Sequence, residues 1–175
     1  MTAAVDLLAP APALTGRITI ETVLLSANNG RLCYRVRALR LPDEVHPDSF
    51  ALELAGFDAD HDDVARLLHS TSWRYHGGAV VLTYVGLPDP SPERALPVSP
   101  RRLPYAADRL APTLPGVTTD DVALHAIRHL AYLRRTDPLV AATAAASPEL
   151  WGLIERLDPA VAGRLGQPSP AAPRR

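Results

Sequence analysis

Apolar and polar residues alternate at every second position through two stretches of the chain's first half. From Arg31 to Leu41, the residues Leu32, Tyr34, Val36 and Ala38 alternate with Arg31, Cys33, Arg35 and Arg37. That is the period of a strand with one buried and one wet face. Arg17 to Ser26 reads as its partner, with Ala27-Asn28-Asn29-Gly30 supplying residues that tolerate the positive φ of a tight hairpin turn. Thr71 to Tyr75 and Ala79 to Gly86 form a second pair around His76-Gly77-Gly78, and Trp73 and Tyr75 alternate with Arg74, so aromatic and cationic groups face opposite ways. Between the hairpins, Phe50 to Phe57 is expected as a third strand, although its Leu, Ala and Glu also suit a helix. Asp60 to His69 is expected as a helix, with an acidic start and Val64, Leu67 and Leu68 at helical spacing.

The period then changes. Thr118-Thr119-Asp120-Asp121 supplies cap and first-turn residues for a helix running to about Thr136, ahead of Pro138. A short helix over Leu139 to Ala146 follows. A third starts near Ser147-Pro148-Glu149, with proline in its first turn and Trp151 and Ile154 as anchors. Eight prolines fall between Pro88 and Pro115, too many for a helix or a central strand. The fold class expected is therefore α+β: a mainly antiparallel sheet of two hairpins with a short helix, a Pro-rich linker, and a C-terminal helical segment packed on the sheet. Residues 17–165 form the single domain, divided into a sheet unit (17–87), the linker (88–117) and a helical unit (118–165). Residues 1–16 and 166–175 are expected as flexible termini.

Composition narrows the function classes. Apolar residues are 47% of the 175, but 28 of them are alanine, so large core side chains are few and neither half can readily bury its own core. All 18 basic residues are arginine, which excludes lysine Schiff-base chemistry and a Walker-type lysine. The formal net charge of -1 argues against bulk nucleic-acid binding, and no apolar run is long enough for a membrane span. Cys33 is the lone cysteine, so neither an intramolecular disulfide nor a cysteine zinc cluster is available. Met1 to Pro12 lacks the basic start of a secretory signal, and the cytoplasm is the expected compartment.

Four patterns bear on chemistry. Asp58-Ala59-Asp60-His61-Asp62-Asp63 opens like a calcium loop, but Asp63 stands where glycine is needed and His69 where a bidentate glutamate is needed. Such carboxylates suit a helix N-terminus instead. His69-Ser70-Thr71 matches half of the two-histidine phosphoesterase signature, and no other histidine is followed two residues later by Ser or Thr. No nucleophile elbow, P-loop or dinucleotide fingerprint occurs, and the six glutamates are too dispersed for a Nudix-type magnesium box.

The fourth pattern lies on the long C-terminal helix. Val122, Ala126, Leu130 and Leu133 share one face, while His125, Arg128, His129 and Tyr132 occupy another sector. Two imidazoles four residues apart, with a guanidinium and a phenol, could grip a phosphate, a carboxylate or a metal. The same pattern also describes a partly buried His/Tyr seam against the sheet. It is not a metalloprotease helix, because Ala126 follows His125 where glutamate is required.

Two segments, His69-Ser-Thr-Ser-Trp-Arg-Tyr75 with Val80-Val-Leu-Thr-Tyr84, and His125-Ala-Ile-Arg-His-Leu-Ala131, resemble a group of uncharacterised small proteins from high-GC Gram-positive bacteria. The resemblance implies an intact domain and no particular chemistry. The reading is a non-enzymatic binding or protein-interaction module. Its site, where the second hairpin meets the helix, is expected to take a protein partner or a small anionic ligand through His69, Arg74, His125, Arg128, His129 and Tyr132. No cofactor, metal or catalytic residue is expected. The alternative is a small hydrolase or phosphoesterase using histidine acid/base chemistry.

Overall fold

Two glycine-containing turns of the same kind close the two hairpins. Asn29 and Gly30 (φ 51° and 70°) join β1 (Ile18–Asn28) to β2 (Arg31–Arg40), and Gly77 and Gly78 (φ 57° and 82°) join β3 (Leu67–His76) to β4 (Ala79–Leu87). Positive φ at both turn positions matches the right-handed twist of the paired strands, which is why Asn and Gly occupy them. The computed structural model describes residues 18–57, 64–99, 101, 103 and 116–161. The expected termini and the acidic run Asp58–Asp63 lie outside the described residues, as does most of 100–115.

The five strands are ordered β3-β4-β1-β2-β5, where β5 is the short pair Leu96–Pro97. Both hairpins are antiparallel and β5 adds antiparallel to β2, while β1 and β4 run parallel at the centre. The sheet is mixed, and its hairpins meet through one parallel seam.

Segment Pro47–Ala55 is helix α1, and this corrects the strand expected from Phe50. The deciding signals are its ends. Pro47 sits in the first turn with its ring pre-set for helix, and Gly56 takes the left-handed conformation (φ 76°) that stops it. The expected helix over Asp60 to His69 is corrected in its described part, since Leu67 already begins β3. Leu67 packs toward the C-terminal helices and Leu68 toward α1, a two-residue alternation that the helical spacing of the leucines concealed.

The C-terminal helices fall close to their expected bounds: α2 (Thr119–Thr136), α3 (Pro138–Ala146) and α4 (Pro148–Ile154). Thr118 and Asp121 form a reciprocal capping box on α2. Asp137 ends α2 and caps α3 by accepting from the N–H groups of Leu139 and Val140. These helices pack on one face of the sheet against Val23, Leu25, Tyr34, Val85 and Leu87, with Trp151 and Ile127 fully buried among them.

Helix α1 covers the other face through Ala51, Leu54 and Ala55, against Ile20, Leu24 and Tyr84. Strand β1 is therefore buried on both sides from Ile20 to Ser26. This corrects the wet face expected for β2. Arg31 and Arg37 are exposed, but Cys33 between them is only 4% exposed and Arg35 is half-buried. The chain after β4 returns over this end of the sheet. Asp89 receives Arg35 through two hydrogen bonds of 3.0 and 2.6 Å, and the Asn28 side chain donates to the Pro92 carbonyl at 2.8 Å. The described beginning of the Pro-rich linker is thus stitched to the sheet.

Candidate functional site

Helix α2 is fixed at its start by polar contacts and along its length by packing. The Tyr34 hydroxyl donates to Asp120, and Arg101 pairs with Asp121 at 2.9 Å while donating to the Thr118 hydroxyl at 2.6 Å. Burial and the Asp120 carboxylate push the Tyr34 phenol up to about 12. Burial alone would raise the Asp121 carboxyl, yet hydrogen bonds from Thr118 and the nearby Arg101 hold it below the ordinary range. Val122, Ala126, Ile127 and Leu130 press on the sheet, so His125, His129 and Tyr132 emerge along one flank of the helix.

His69 meets that flank from β3. Its ring centroid lies 5.4 Å from that of His129, and the His129 ring stacks on Tyr132 at 6.3 Å with 16° between planes. His129 is buried, while His69, His125 and Tyr132 are half-buried. All three imidazoles have pKa values held below the ordinary histidine value. For His69 and His125 burial is the main cause, with Asp137 opposing it at His69 and Arg128 reinforcing it at His125. At His129 burial is followed by the field of His69, a hydrogen bond with the Ala160 backbone pulls the other way, and His125 adds to the depression. The cluster is built to be neutral at pH 7.

The two arginines expected beside it are engaged elsewhere. Arg128 donates through Nε to the Asp158 carbonyl at 2.8 Å, and its own carbonyl accepts from the Ala160 N–H at 3.0 Å, so it ties down the chain after α4. Arg74 donates to both carboxylate oxygens of Glu21 (2.8 and 2.7 Å) and to the Thr83 hydroxyl (3.1 Å), and that hydroxyl donates in turn to Glu21 at 3.1 Å. The structure therefore brings His69, His129 and Tyr132 together, with His125 near enough to act on His129 electrostatically. It gives Arg74 and Arg128 separate structural partners. Thr71, the other half of the His-x-Thr pattern, donates its hydroxyl to the Thr83 carbonyl at 3.2 Å. Among the described residues no group of three or more His, Cys, Asp or Glu could hold a metal ion, and no helix is long and apolar enough to cross a membrane.

A second feature lies on the opposite face of β3. Trp73 is 69% exposed and Tyr75 60% exposed, on the side that α1 covers further along the sheet. They flank Arg74, whose side chain turns to the other face, as the alternation in the sequence requires. Among the described residues β3 pairs only with β4, so these aromatics stand on an edge strand. Alternation gave their direction, but the edge position depends on the strand order and could not be read from the chain.

No protein-family model, curated protein or solved structure matches this chain.

Proposed function

We propose that this chain is a non-catalytic protein-interaction module that receives a partner along the Trp73/Tyr75 edge of β3. The observation carrying the proposal is the exposure of two large aromatics, two residues apart, on an edge strand. Exposed tryptophan and tyrosine supply large contact area at small entropic cost and are enriched at interface centres. The side-chain spacing of a strand suits a partner segment that is itself extended. The anion-binding form of the reading draws less support, because Glu21 neutralises Arg74 and the imidazoles are held neutral. One buried thiol and no disulfide suit a reducing compartment, which supports a cytoplasmic location.

Photo-crosslinking tests the proposal. A benzophenone amino acid placed at Trp73 should give a protein adduct, identifiable by mass spectrometry, that is absent when the same group replaces the exposed Leu139 and lost when Tyr75→Ala is added. Equal labelling from positions 73 and 139 would overturn it.

The second reading, a small hydrolase or phosphoesterase, rests on the His69–His129 contact beside Tyr132. Neutral imidazoles can accept protons. Turnover of p-nitrophenyl phosphate that disappears in both His69→Ala and His129→Ala would favour it.

A further inference from the structure

The backbone of β3 shows which groups its outer edge offers. His76 and Ala79 flank a two-residue turn with positive φ at both positions, which makes them a hydrogen-bonded pair. Bonded and non-bonded pairs alternate from there along an antiparallel ladder. Tyr75 opposite Val80 and Trp73 opposite Leu82 are then non-bonded pairs, so their N–H and C=O groups point away from β4, toward the edge. Arg74, between them, spends its backbone on Val81.

We infer that the β3 edge pairs with β3 of a second copy of this chain, antiparallel about a two-fold axis at Arg74. This rests on the interaction-module reading and names its occupant. An isologous contact must match a surface to itself. Centred on Arg74, the pairing sets Trp73 opposite Tyr75 of the second copy and Tyr75 opposite Trp73. These are the residues whose backbone groups face outward, so each pair exchanges both of its N–H···O=C bonds. Both aromatic pairs fall on one face of the joined sheet, and aromatic cross-strand pairs are among the stronger contacts a sheet makes. The neighbouring registers, centred on Trp73 or on Tyr75, set one aromatic against its own copy and the other against Thr71 or Gly77.

Charge permits the contact. Two arginines facing each other across an axis would repel, and edge strands are commonly protected by such charges. Here each guanidinium is drawn inward, across β4, to the Glu21 carboxylate. The axis is left with neutral backbone and two aromatic pairs. Ser72 lies opposite His76 of the second copy on the remaining face, as a non-bonded pair with Cα atoms about 4.5 Å apart.

Sedimentation equilibrium of the purified full chain from about 1 to about 200 µM tests the idea, a range spanning weak to moderate dimers. The expected result is a monomer–dimer equilibrium whose Kd rises about 30-fold or more in Trp73→Lys, as for loss of an aromatic anchor. In parallel, the double variant Ser72→Cys with His76→Cys should form an intermolecular disulfide under mild oxidation, since about 4.5 Å between Cα atoms suits that bond. Trp73→Cys or Tyr75→Cys alone, which would meet its own copy in the register centred on that residue, should not. A chain that stays monomeric throughout overturns the second copy as occupant, while the position-73 photo-crosslink decides separately whether the edge receives any other protein. A dimer unchanged by Trp73→Lys, or a disulfide from either single cysteine variant in place of the 72/76 pair, overturns the inference as well. If Trp73→Lys fails to fold by circular dichroism, the cysteine pairs still decide.

Discussion

Arg74 reaches across β4 to hold both carboxylate oxygens of Glu21, two strands away, while the Thr83 hydroxyl accepts from Arg74 and donates to one of those oxygens. The two residues are unequal in surroundings. The Arg74 side chain keeps 23% of its surface in water and Glu21 only 7%. Removing the arginine strands a buried anion, whereas removing the acid leaves a cation that can turn outward. Arg74→Met should therefore cost about 3 kcal/mol, and Glu21→Gln distinctly less. Urea denaturation of the two single variants and the double variant measures the asymmetry, and equal losses would contradict it.

Acid should loosen the contact between β3 and α2. His69, His125 and His129 all have folded pKa values below the unfolded value of about 6.5. A depressed imidazole stabilises the fold fully above the unfolded value, and that stability is lost as pH falls through the folded one. The unfolded chain binds the protons first, so unfolding free energy should drop below about pH 6.5, by at most about 1.4 kcal/mol per pH unit for each histidine. Chemical melts at pH 7.5, 6.0 and 5.0 should show the fall. His69→Gln with His129→Gln should flatten it, while loss of the Asp121 contribution belongs to lower pH because that carboxyl is itself depressed.

Cys33 should resist thiol reagents. It is buried in its row between Arg31 and Arg35, under the return of the chain after β4. Ellman's reagent should label it slowly in the native state and at once in denaturant. Rapid native labelling would mean that this side of β2 opens readily.

Asp89 carries more than its ion pair. Its carboxylate has no side-chain exposure, receives Arg35, and accepts the Ser91 N–H at 2.9 Å. Asp89→Ala should cost about 3 kcal/mol or more, since both donors lose their acceptor. Asp89→Asn keeps an oxygen for Ser91 and should fall between the two. Thermal melts of both variants check the order.

The sequence was most legible where the signal is local. The turns at Asn29-Gly30 and Gly77-Gly78, the capping residues Thr118 and Asp121, and the prolines Pro138 and Pro148 marked both hairpins and three helices, because turn, cap and first-turn preferences act within a few residues. Segment 50–57 misled because its side chains suit either state, and the deciding signals, Pro47 and Gly56, lie at its margins. The candidate site was legible only in part. The spacing of His125, His129 and Tyr132 on one helix flank could be counted, and His69 was a candidate from its motif. The destinations of Arg74 and Arg35 could not be foreseen, since their partners lie 53 and 54 residues away in sequence and only tertiary structure brings them together.

The parallel seam between β1 and β4 also sets an order of assembly. Each hairpin closes through a two-residue turn, so its strands can find each other within microseconds. The seam joins Ile18 to Val80 and Leu24 to Gly86, and some sixty residues of chain must be looped before its first bond forms. That closure is an entropic cost the hairpins never meet. Substitutions in the turns should register early on the folding path, and those at Val23 or Val85 late, with the docking of two preformed halves as the slow event.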